Sequence, residues 1–492
     1  MTFCPAKKLY LKGSSALIGN SIVSTDAIKP YEGNSFNDIL KLKYIDVDRN
    51  HKTFSSSQAN LEIAQKDLEI KYAALYWSAI YKYDKGYTKT INIKGKKNLK
   101  KIIYEGNNVR SKNINTILFK TPNSDYNTIN GTVIYDSYNN EKSFPEIKPY
   151  VCFADVTSLI KNSKTLNGTY TVANIKATEG YVSGGTSGGW LLYIIYETKT
   201  DKPKHFTIYD GFINVFKTPV NIVFDNFKTP ESGVTKASLI LGALEGDNKF
   251  KSDNCAFFNY EKKEYIPLFN KIRPRFNFFN SSISINNSLY TDRTPNSQNT
   301  LGFDLLKIDI PNLNNSVISN NQTEATVRFK SKADQFYLFF VSFETEISPI
   351  FLEGKNNKET LVVLNDEKDD VPETIDEEEN IEPVIETQKP AKKPKKASPL
   401  DKIKNLKSIT IPNIPKGYYL VTNVFSVKDN ATKWKQFLKD KGHNPKSYVN
   451  PKNGWEYIYL KNDEDPLSIY LKHKELSKLS YFEAIWVLKI NF

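Results

Sequence analysis

The chain has 492 residues, of which 39% are hydrophobic and 13% aromatic, and its formal net charge is +13. This length is too great for one hydrophobic core, so we expect two or three domains. The positive charge comes mostly from lysines spread along the sequence, which argues against a focused nucleic-acid surface. No stretch approaches the ~20 apolar residues of a membrane helix, so we expect no transmembrane segment.

The first 350 residues follow the pattern of β-strands. Short apolar or alternating runs are separated by Gly, Asn, Asp and Pro, as in antiparallel sheets. One short helix is predicted at residues 155–163, with Asp155 as its N-cap. We therefore expect a mainly β protein in which residues 1–350 form an antiparallel β-sandwich of one or two lobes. Size alone suggests a division near residue 200. The clearest predicted strands are residues 71–81, 168–178, 188–198, 204–212, 236–247, 324–331 and 334–347.

Two acidic turns in this region are candidate calcium sites. In the stretch YIDVDRN, Asp46, Asp48 and Asn50 alternate as oxygen ligands do at the start of a calcium loop, although the later Gly and Glu of such a loop are missing. In the stretch LEGDN, Glu245 and Asp247 stand in a predicted turn. A structural calcium ion is the one cofactor that the sequence leaves open. The alternative is that these acids are solvated turn residues.

The stretch GTSGG around Ser187 fits the G-x-S-x-G pattern of serine hydrolases. A nucleophile elbow needs a strand before the serine, whereas here the predicted strand follows it. His51 would have to act as the base, and nothing around it indicates a catalytic triad. We therefore predict a glycine-rich turn that leads Trp190 into the core. No catalytic residue is assigned, and no enzyme activity is expected.

The N-terminus and the cysteines bear on the cellular location. Residues 1–15 contain no apolar segment of the kind that a signal peptide needs. The sequence thus predicts either a cytoplasmic protein or an exported one whose signal precedes this numbering. Cys4, Cys152 and Cys255 show no metal-ligand spacing, and one disulfide among them is left open.

Residues 351–406 lose aromatic side chains and gain charge. An acidic run at residues 365–386 is followed by a basic run at residues 389–399, and prolines occur in both. Such a composition cannot bury enough apolar surface to fold, so we expect a disordered, acidic-then-basic linker.

Residues 407–492 change to an α/β pattern. The predicted order is strand, helix, strand, strand, helix and strand, and Gly442 ends the first helix. This βαββαβ order is that of a small ferredoxin-like domain. From Lys402 onward there are sixteen lysines and eight acidic residues, which gives this part of the chain a net charge of +8.

A four-stranded sheet with both helices on one face leaves its second face open. In the stretch WEYIYL, Ile458 and Leu460 are expected to face the helices, because side chains alternate along a strand. Aromatic rings on the open face can stack on sugars, on bases or on a partner's side chains, unless another part of the protein covers them. The candidate binding residues on this face are Asn423, Trp455, Tyr457, Tyr459 and Trp486.

The C-terminal part resembles the SPOR family over residues 407–492. The stretch YYLVTNVF, followed by DNATKW, is similar to the first strand and helix start of that family, and EYIYLKN stands in place of its third strand. The resemblance implies a sheet face that binds peptidoglycan glycan strands. Val421, Asn423 and Tyr457 depart from the glutamine, glycine and arginine common at these positions, which leaves glycan specificity open. The similarity is greater still to the SPOR-like ending of large envelope proteins from gliding bacteria of the Bacteroidetes group.

The β-rich region resembles a surface-protein domain of the same bacterial group and, more distantly, exported actinobacterial proteins. The resemblance implies an exported protein of the cell envelope or cell surface without a defined catalytic activity. It also implies that a secretion signal precedes residue 1. The similar stretches are AALYWSA, CFADVTSLI, GTYTVANI, GGTSGGWLLYIIYE, YDGF, LEGDN and NFFNSSIS.

Three functional hypotheses follow from the sequence. The first is a non-catalytic envelope or surface-binding protein. Its β region would contact a surface, a polysaccharide or a protein, and its SPOR-like domain would dock to peptidoglycan glycan or to an envelope protein; the resemblance implies an association with gliding motility or secretion. The second is a carbohydrate-active enzyme with an accessory binding module, which needs two carboxylates across a cleft. The third, a nucleic-acid-binding protein, is disfavoured by the dispersed charge.

Overall fold

The structure is a computed structural model that divides into two compact units, Met1–Val371 and Pro372–Phe492. The predicted linker, residues 351–406, lies outside the described residues except at 351–353, 403–404 and 406. Leu352, at the start of this predicted linker, is buried in the core of the N-terminal unit, so the fold extends past residue 350. The structure describes residues 3–92, 100–138, 144–333, 335–353, 403–404, 406, 408, 410–412, 414–425, 428–451, 454–476, 479 and 485–491.

The N-terminal unit is built from β-strands, which confirms the prediction of a mainly β protein. It contains the α-helix α1 (Thr157–Lys161), and residues 349–353 are also helical. Asp155 accepts a hydrogen bond from the Thr157 N–H at 2.9 Å, although Val156 rather than Asp155 occupies the N-cap position. In chain order the strands are β1 (Cys4–Ser21), β2 (Val23–Ser24), β3 (Lys43–Tyr44), β4 (Ser56–Leu61), β5 (Leu68–Ile80), β6 (Tyr83–Asn92), β7 (Lys100–Val109), β8 (Thr116–Lys120), β9 (Asn127–Asn130), β10 (Thr132–Asp136), β11 (Pro149–Asp155), β12 (Gly168–Ala173), β13 (Glu179–Gly180), β14 (Gly188–Thr198), β15 (Pro203–Val215), β16 (Val220–Phe224), β17 (Ala237–Gly246), β18 (Asn254–Asn259), β19 (Glu264–Leu268), β20 (Ile283–Ile285), β21 (Ser288–Leu289), β22 (Arg293–Thr294), β23 (Gly302–Asp309), β24 (Ala325–Lys330) and β25 (Phe336–Glu346).

Strand β1 joins two halves of one long sheet, whose order is β10-β11-β5-β14-β1-β15-β25-β17-β23-β20-β21. The first part of β1 pairs with β15, and the second part, from Gly13 to Ser21, pairs with β14. The two halves pack face to face: the rings of Tyr76 and Phe340 lie 5.0 Å apart, and a Cβ on Gly242 would contact Leu191. The long strand β1 is thus the structural link between the two halves of this sheet.

Two smaller sheets cover the outer faces of this pair. The sheet β22-β4-β12-β8-β9 packs on one half, where the indole N–H of Trp190 donates to the Ser57 hydroxyl at 2.9 Å. The sheet β16-β24-β18-β19 packs on the other half, where the rings of Phe224 and Phe343 stack at 4.6 Å. The N-terminal unit therefore has stacked sheets with an apolar core in each interface. The strands β13-β6-β7 and β2-β3 form further small sheets.

The two outer cores are drawn from different parts of the chain. One contains residues between Ile18 and Ile194 together with Leu301, and the other contains residues between Tyr209 and Leu352. Both belong to a single compact unit, so the division suggested near residue 200 stays a prediction. The buried thiols of Cys152 and Cys255 lie in different cores and are not joined to each other.

In the C-terminal unit the described elements are β26 (Gly417–Phe425), α2 (Lys428–Asp440), β27 (Lys446–Asn450), β28 (Trp455–Asp463), α3 (Pro466–Leu476) and β29 (Trp486–Ile490). Its sheet has the order β27-β28-β26-β29, and neighbouring strands are antiparallel. Asp465 caps α3 by accepting the N–H groups of Leu467 and Ser468, and Gly442, at φ +80°, follows the end of α2. Among the described residues, no helix has both the length and the apolar character needed to cross a membrane.

Both helices pack on the same face of this sheet. Leu420 and Ile458 of the sheet are fully buried against Ala431 and Leu438 of α2 and Leu476 of α3. Leu460 packs against the same core. The second face of the sheet is therefore left to other contacts.

Candidate functional site

The second face of the C-terminal sheet carries a cluster of tyrosines. Tyr448 stacks on Tyr457 with ring centroids 5.0 Å apart, and Tyr419 meets Tyr459 edge to face at 5.0 Å. Burial raises the pKa of Tyr419 to about 12 and also raises the pKa of Tyr448 and of Tyr459. These phenols therefore stay neutral. Tyr419 and Tyr448 are buried, whereas Tyr457 and Tyr459 are half-buried and keep part of their surface on this face.

Two tryptophans extend this face towards solvent. Trp455 is 42% exposed and Trp486 is 37% exposed. Trp455 lies opposite Asn450 of the edge strand, and Trp486 lies opposite Val421, which belongs to the tyrosine cluster. Of the predicted site residues, the structure thus places Trp455, Tyr457, Tyr459 and Trp486 on one face. Their role in binding stays a prediction.

Asn423 lies elsewhere, because β26 does not alternate regularly. The strand register shifts between Val421 and Asn423, and Asn423 then pairs with Ile458, whose side chain faces the helices. Val424, the next residue, packs with the tyrosine cluster. The Asn423 side-chain oxygen accepts the Val424 N–H at 2.8 Å. A bulge thus exchanges the two positions, and the placement of Asn423 on the open face was wrong.

A segment of the chain itself covers part of this face. The flanking segment, represented by residues 410–412 and 414–416, precedes β26, and its Ile411 is 2% exposed against the tyrosine cluster. The Asn491 amide donates to the carbonyls of Ile411 and Ile414 at 2.9 and 2.7 Å, and its oxygen accepts the Ile411 N–H at 2.9 Å. The Tyr419 hydroxyl donates to the Pro415 carbonyl at 2.7 Å. Trp455 and Trp486 remain exposed beside this cover.

The first candidate calcium turn is occupied by hydrogen-bond donors of the protein. The Ser56 hydroxyl lies 3.0 Å from Asp46 Oδ1 and 2.9 Å from Asp48 Oδ1, and the Tyr126 hydroxyl donates to Asp48. Burial acts to raise the pKa of Asp48, but hydrogen bonds from Tyr126 and the Asn50 N–H lower it below the usual value; burial raises the pKa of Asp46. This arrangement fits the interpretation of these acids as turn residues.

The second candidate turn lies on the wall of a cavity of about 620 Å³ in the N-terminal unit. Glu245, at φ +63° beside a register shift of β17, accepts hydrogen bonds from the Ser187 hydroxyl at 2.6 Å and the Asn37 amide at 3.0 Å. Burial raises the pKa of Glu245 to about 8 and that of Asp247 to about 7, and the charge of Asp38 adds to both shifts. Across the described residues, no three His, Cys, Asp or Glu side chains form a group that could hold a metal ion.

The GTSGG stretch has a structural role in this wall. Ser187 is buried and donates to Glu245, whereas His51 is exposed in a turn, so the two do not form a catalytic pair. Gly185, at φ +91°, lies so close to Asn37 that a Cβ would approach its side chain to 2.3 Å. Trp190 is fully buried, as predicted. The link from Ser187 to Glu245, 58 residues apart, was not predicted, because nothing local in either stretch signals it.

No family model and no curated protein matches this chain. Among solved structures, one chain described as "Crystal Structure of the STIV MCP" is similar at 8% sequence identity over 67% of this chain and 96% of that chain, with a TM-score of 0.16. A likeness this weak carries no argument about fold or function.

Proposed function

We propose that this chain is a non-catalytic binding protein of the bacterial cell envelope, exported to the envelope or cell surface, whose C-terminal unit is a SPOR-like, ferredoxin-like domain that docks to peptidoglycan glycan strands. The observation that carries the proposal is the pair of exposed tryptophans, Trp455 and Trp486, beside a tyrosine cluster on one sheet face. The strand order and the two helices on the opposite face are those that a ferredoxin-like domain requires.

The chemistry of the exposed face favours a carbohydrate. Sugar rings present apolar C–H faces and hydroxyl edges, which suit neutral aromatic rings that carry hydroxyl groups. Lys446 lies opposite Tyr459 on the edge strand and is exposed, which places a cation next to the rings. A glycan strand with carboxylate substituents would meet both features. In this proposal the layered β-sandwich region of the N-terminal unit contacts a surface, a polysaccharide or a protein, in association with gliding motility or secretion.

The test is sedimentation of the full chain with purified peptidoglycan, both intact and stripped of its peptides by an amidase. We expect retention that is greater on the stripped glycan. Trp455→Ala should weaken retention by about tenfold, the factor expected from the loss of one stacking contact. Leu471→Ala is the matched control, because Leu471 is a 56% exposed apolar residue on α3 of the same unit.

Each outcome separates the hypotheses. Retention that is equal for wild type and Trp455→Ala would place glycan binding outside this face. No retention on either material would remove peptidoglycan as the ligand and leave an envelope protein as the partner of the face. Hydrolysis of the glycan by the wild-type chain would instead favour the carbohydrate-active enzyme.

A further inference from the structure

The cavity beside Glu245 has a wall chemistry that none of the preceding roles uses. Its volume is about 620 Å³, within the range of small-molecule sites. The wall combines carboxylates with aromatic rings, and its described residues include no lysine, arginine or histidine. The carboxylates are Asp38, Glu146, Glu245 and Asp247, and the rings are those of Phe36, Phe144, Phe250 and Tyr337.

Three of these carboxylates have no cationic partner. In the part of the chain that the structure describes, no ion pair to Asp38, Glu245 or Asp247 is formed, whereas Glu146 pairs with Lys82 at 3.3 Å. Oδ1 of Asp38 is also buried and accepts no hydrogen bond. A buried carboxylate oxygen without a donor is costly, so this oxygen points to an absent donor or cation.

The buried ion pair of Arg273 and Asp304 differs from these carboxylates, because the protein satisfies it fully. The Arg273 guanidinium pairs with Asp304 and also donates to the Ser284 hydroxyl, the Asn280 side chain and backbone carbonyls. The chain therefore supplies a complete set of partners for this buried ion pair. Within the described residues, Asp38 and Asp247, which line the cavity, have no cationic partner.

The residues of the wall indicate which kind of cation would fit the cavity. The carboxylates do not form a group that could hold a single metal ion, as noted for the described residues. Aromatic rings attract ammonium groups and also pack on methylene chains. The chain already shows this preference at the rim, where the Lys249 ammonium lies 5.4 Å from the centre of the Phe36 ring.

We propose that this cavity binds a small linear polyamine, whose ammonium groups contact Asp38, Glu245 and Asp247 and whose methylene chain packs on the aromatic rings. Several carboxylates in one cavity suit a ligand with more than one ammonium group, and the aromatic rings of the same wall suit an alkyl chain. This inference does not rest on the proposed glycan-binding function, because the cavity lies wholly within the N-terminal unit.

Proton release distinguishes this site from weak surface binding. In the empty protein, burial raises the pKa of Glu245 to about 8 and of Asp247 to about 7, so both carry part of a proton at neutral pH. A bound ammonium favours their ionised forms, so binding should release protons and should strengthen as the pH rises from about 6 to about 8. The other charged groups around the site are Asp38, Glu146 with its partner Lys82, Asp304 and Lys249.

The test is isothermal titration calorimetry of the full chain with spermidine at fixed ionic strength, in two buffers of different ionisation enthalpy. We expect saturable binding, heats that differ between the buffers because protons are released, and at least about tenfold weaker binding for Asp247→Asn and for Asp38→Asn. These amides should fold, since burial already disfavours the charge of Asp247. Asp67→Asn, at an exposed carboxylate, is the control and should bind as the wild type does.

Three results would overturn the inference. The first is the absence of saturable heat with spermidine. The second is equal affinity in Asp247→Asn, Asp38→Asn and the wild type, which would indicate binding elsewhere on the surface. The third is calcium chloride binding that competes with spermidine and is equally lost in Asp247→Asn, which would make the cavity a metal site.

Discussion

Two pairs of tryptophans, one pair in each unit, differ in their exposure. In the N-terminal unit Trp77 and Trp190 are fully buried between sheets, and each indole N–H has a hydrogen-bond acceptor. In the C-terminal unit Trp455 and Trp486 are 42% and 37% exposed on one face of the sheet. Burial of an indole stabilises a fold, whereas the exposed part of an indole on a sheet adds to stability only when a partner covers it. Substitution of the buried indoles should therefore change stability, and substitution of the exposed indoles should change binding.

The largest expected effect is the loss of stability when a buried indole is removed. Trp190→Ala should lower the free energy of unfolding of the N-terminal unit by about 3–5 kcal/mol, because it leaves a cavity and removes the bond to Ser57. Trp455→Ala should change stability by no more than about 0.5 kcal/mol. Scanning calorimetry of both variants checks this. A destabilised Trp455→Ala would show that its indole is part of a core and would break the comparison.

The next largest effect is expected when the flanking segment that covers the tyrosine cluster loses its hydrogen bonds. Asn491→Ala removes three hydrogen bonds to the flanking segment and should cost about 1–3 kcal/mol in the C-terminal unit. Amide hydrogen exchange at Ile411 should become faster, whereas exchange in β25 should not change. Unaltered exchange at Ile411 would mean that the segment is held by Ile411 packing rather than by the Asn491 amide.

How far the sequence predicted this site depends on the range of the interactions. Alternation along β28 was enough to place Trp455, Tyr457 and Tyr459 together, since that pattern is local. It failed at Asn423, because a bulge depends on how two strands pair rather than on one strand's pattern. The contact of Asn491 with Ile411 spans 80 residues, so no local signal announced it.

The same distinction applies to the N-terminal unit. Strand patterns identified a mainly β region, and the strand after GTSGG led Trp190 into the core as expected. The layering of its sheets arises from β1 pairing with both β14 and β15, which a single strand's pattern does not reveal. Glu245 was singled out as a turn acid, but its contacts with Ser187 and Asn37 come from distant loops.

A smaller effect is expected on the pH dependence of stability. The pKa values of Asp247 and Asp253 are raised to about 7 by burial, above the ordinary value of 3.8. The folded state therefore holds protons that the unfolded state has lost, and stability should fall as the pH rises from about 4 to about 8. Asp247→Asn should make stability depend less steeply on pH. In scanning calorimetry, each kcal/mol of this dependence corresponds to a shift of about 2–4 °C in the unfolding midpoint. A slope of the opposite sign over this range would contradict the assignment.

The smallest effect is expected from metal removal. Oxygens of Asp46 and Asp48 already accept hydrogen bonds from hydroxyl groups of the chain, so we expect that no ion is needed to satisfy them. The midpoint of thermal unfolding should agree within about 1 °C with calcium chloride and with EDTA at equal ionic strength. A clear fall in EDTA would restore the calcium interpretation of this turn. Asp48→Asn should then abolish the fall.

Acrylamide quenching of tryptophan fluorescence tests directly whether the exposed face of the C-terminal sheet binds glycan. Trp77 and Trp190 are shielded and Trp434 is half-buried in the helix-side core, so the most quenchable emission should come from the exposed indoles of Trp455 and Trp486. We predict that amidase-stripped glycan strands protect this emission, and that Trp455→Phe combined with Trp486→Phe removes the protected fraction. Quenching that is unchanged by saturating glycan would show that glycan does not cover Trp455 and Trp486.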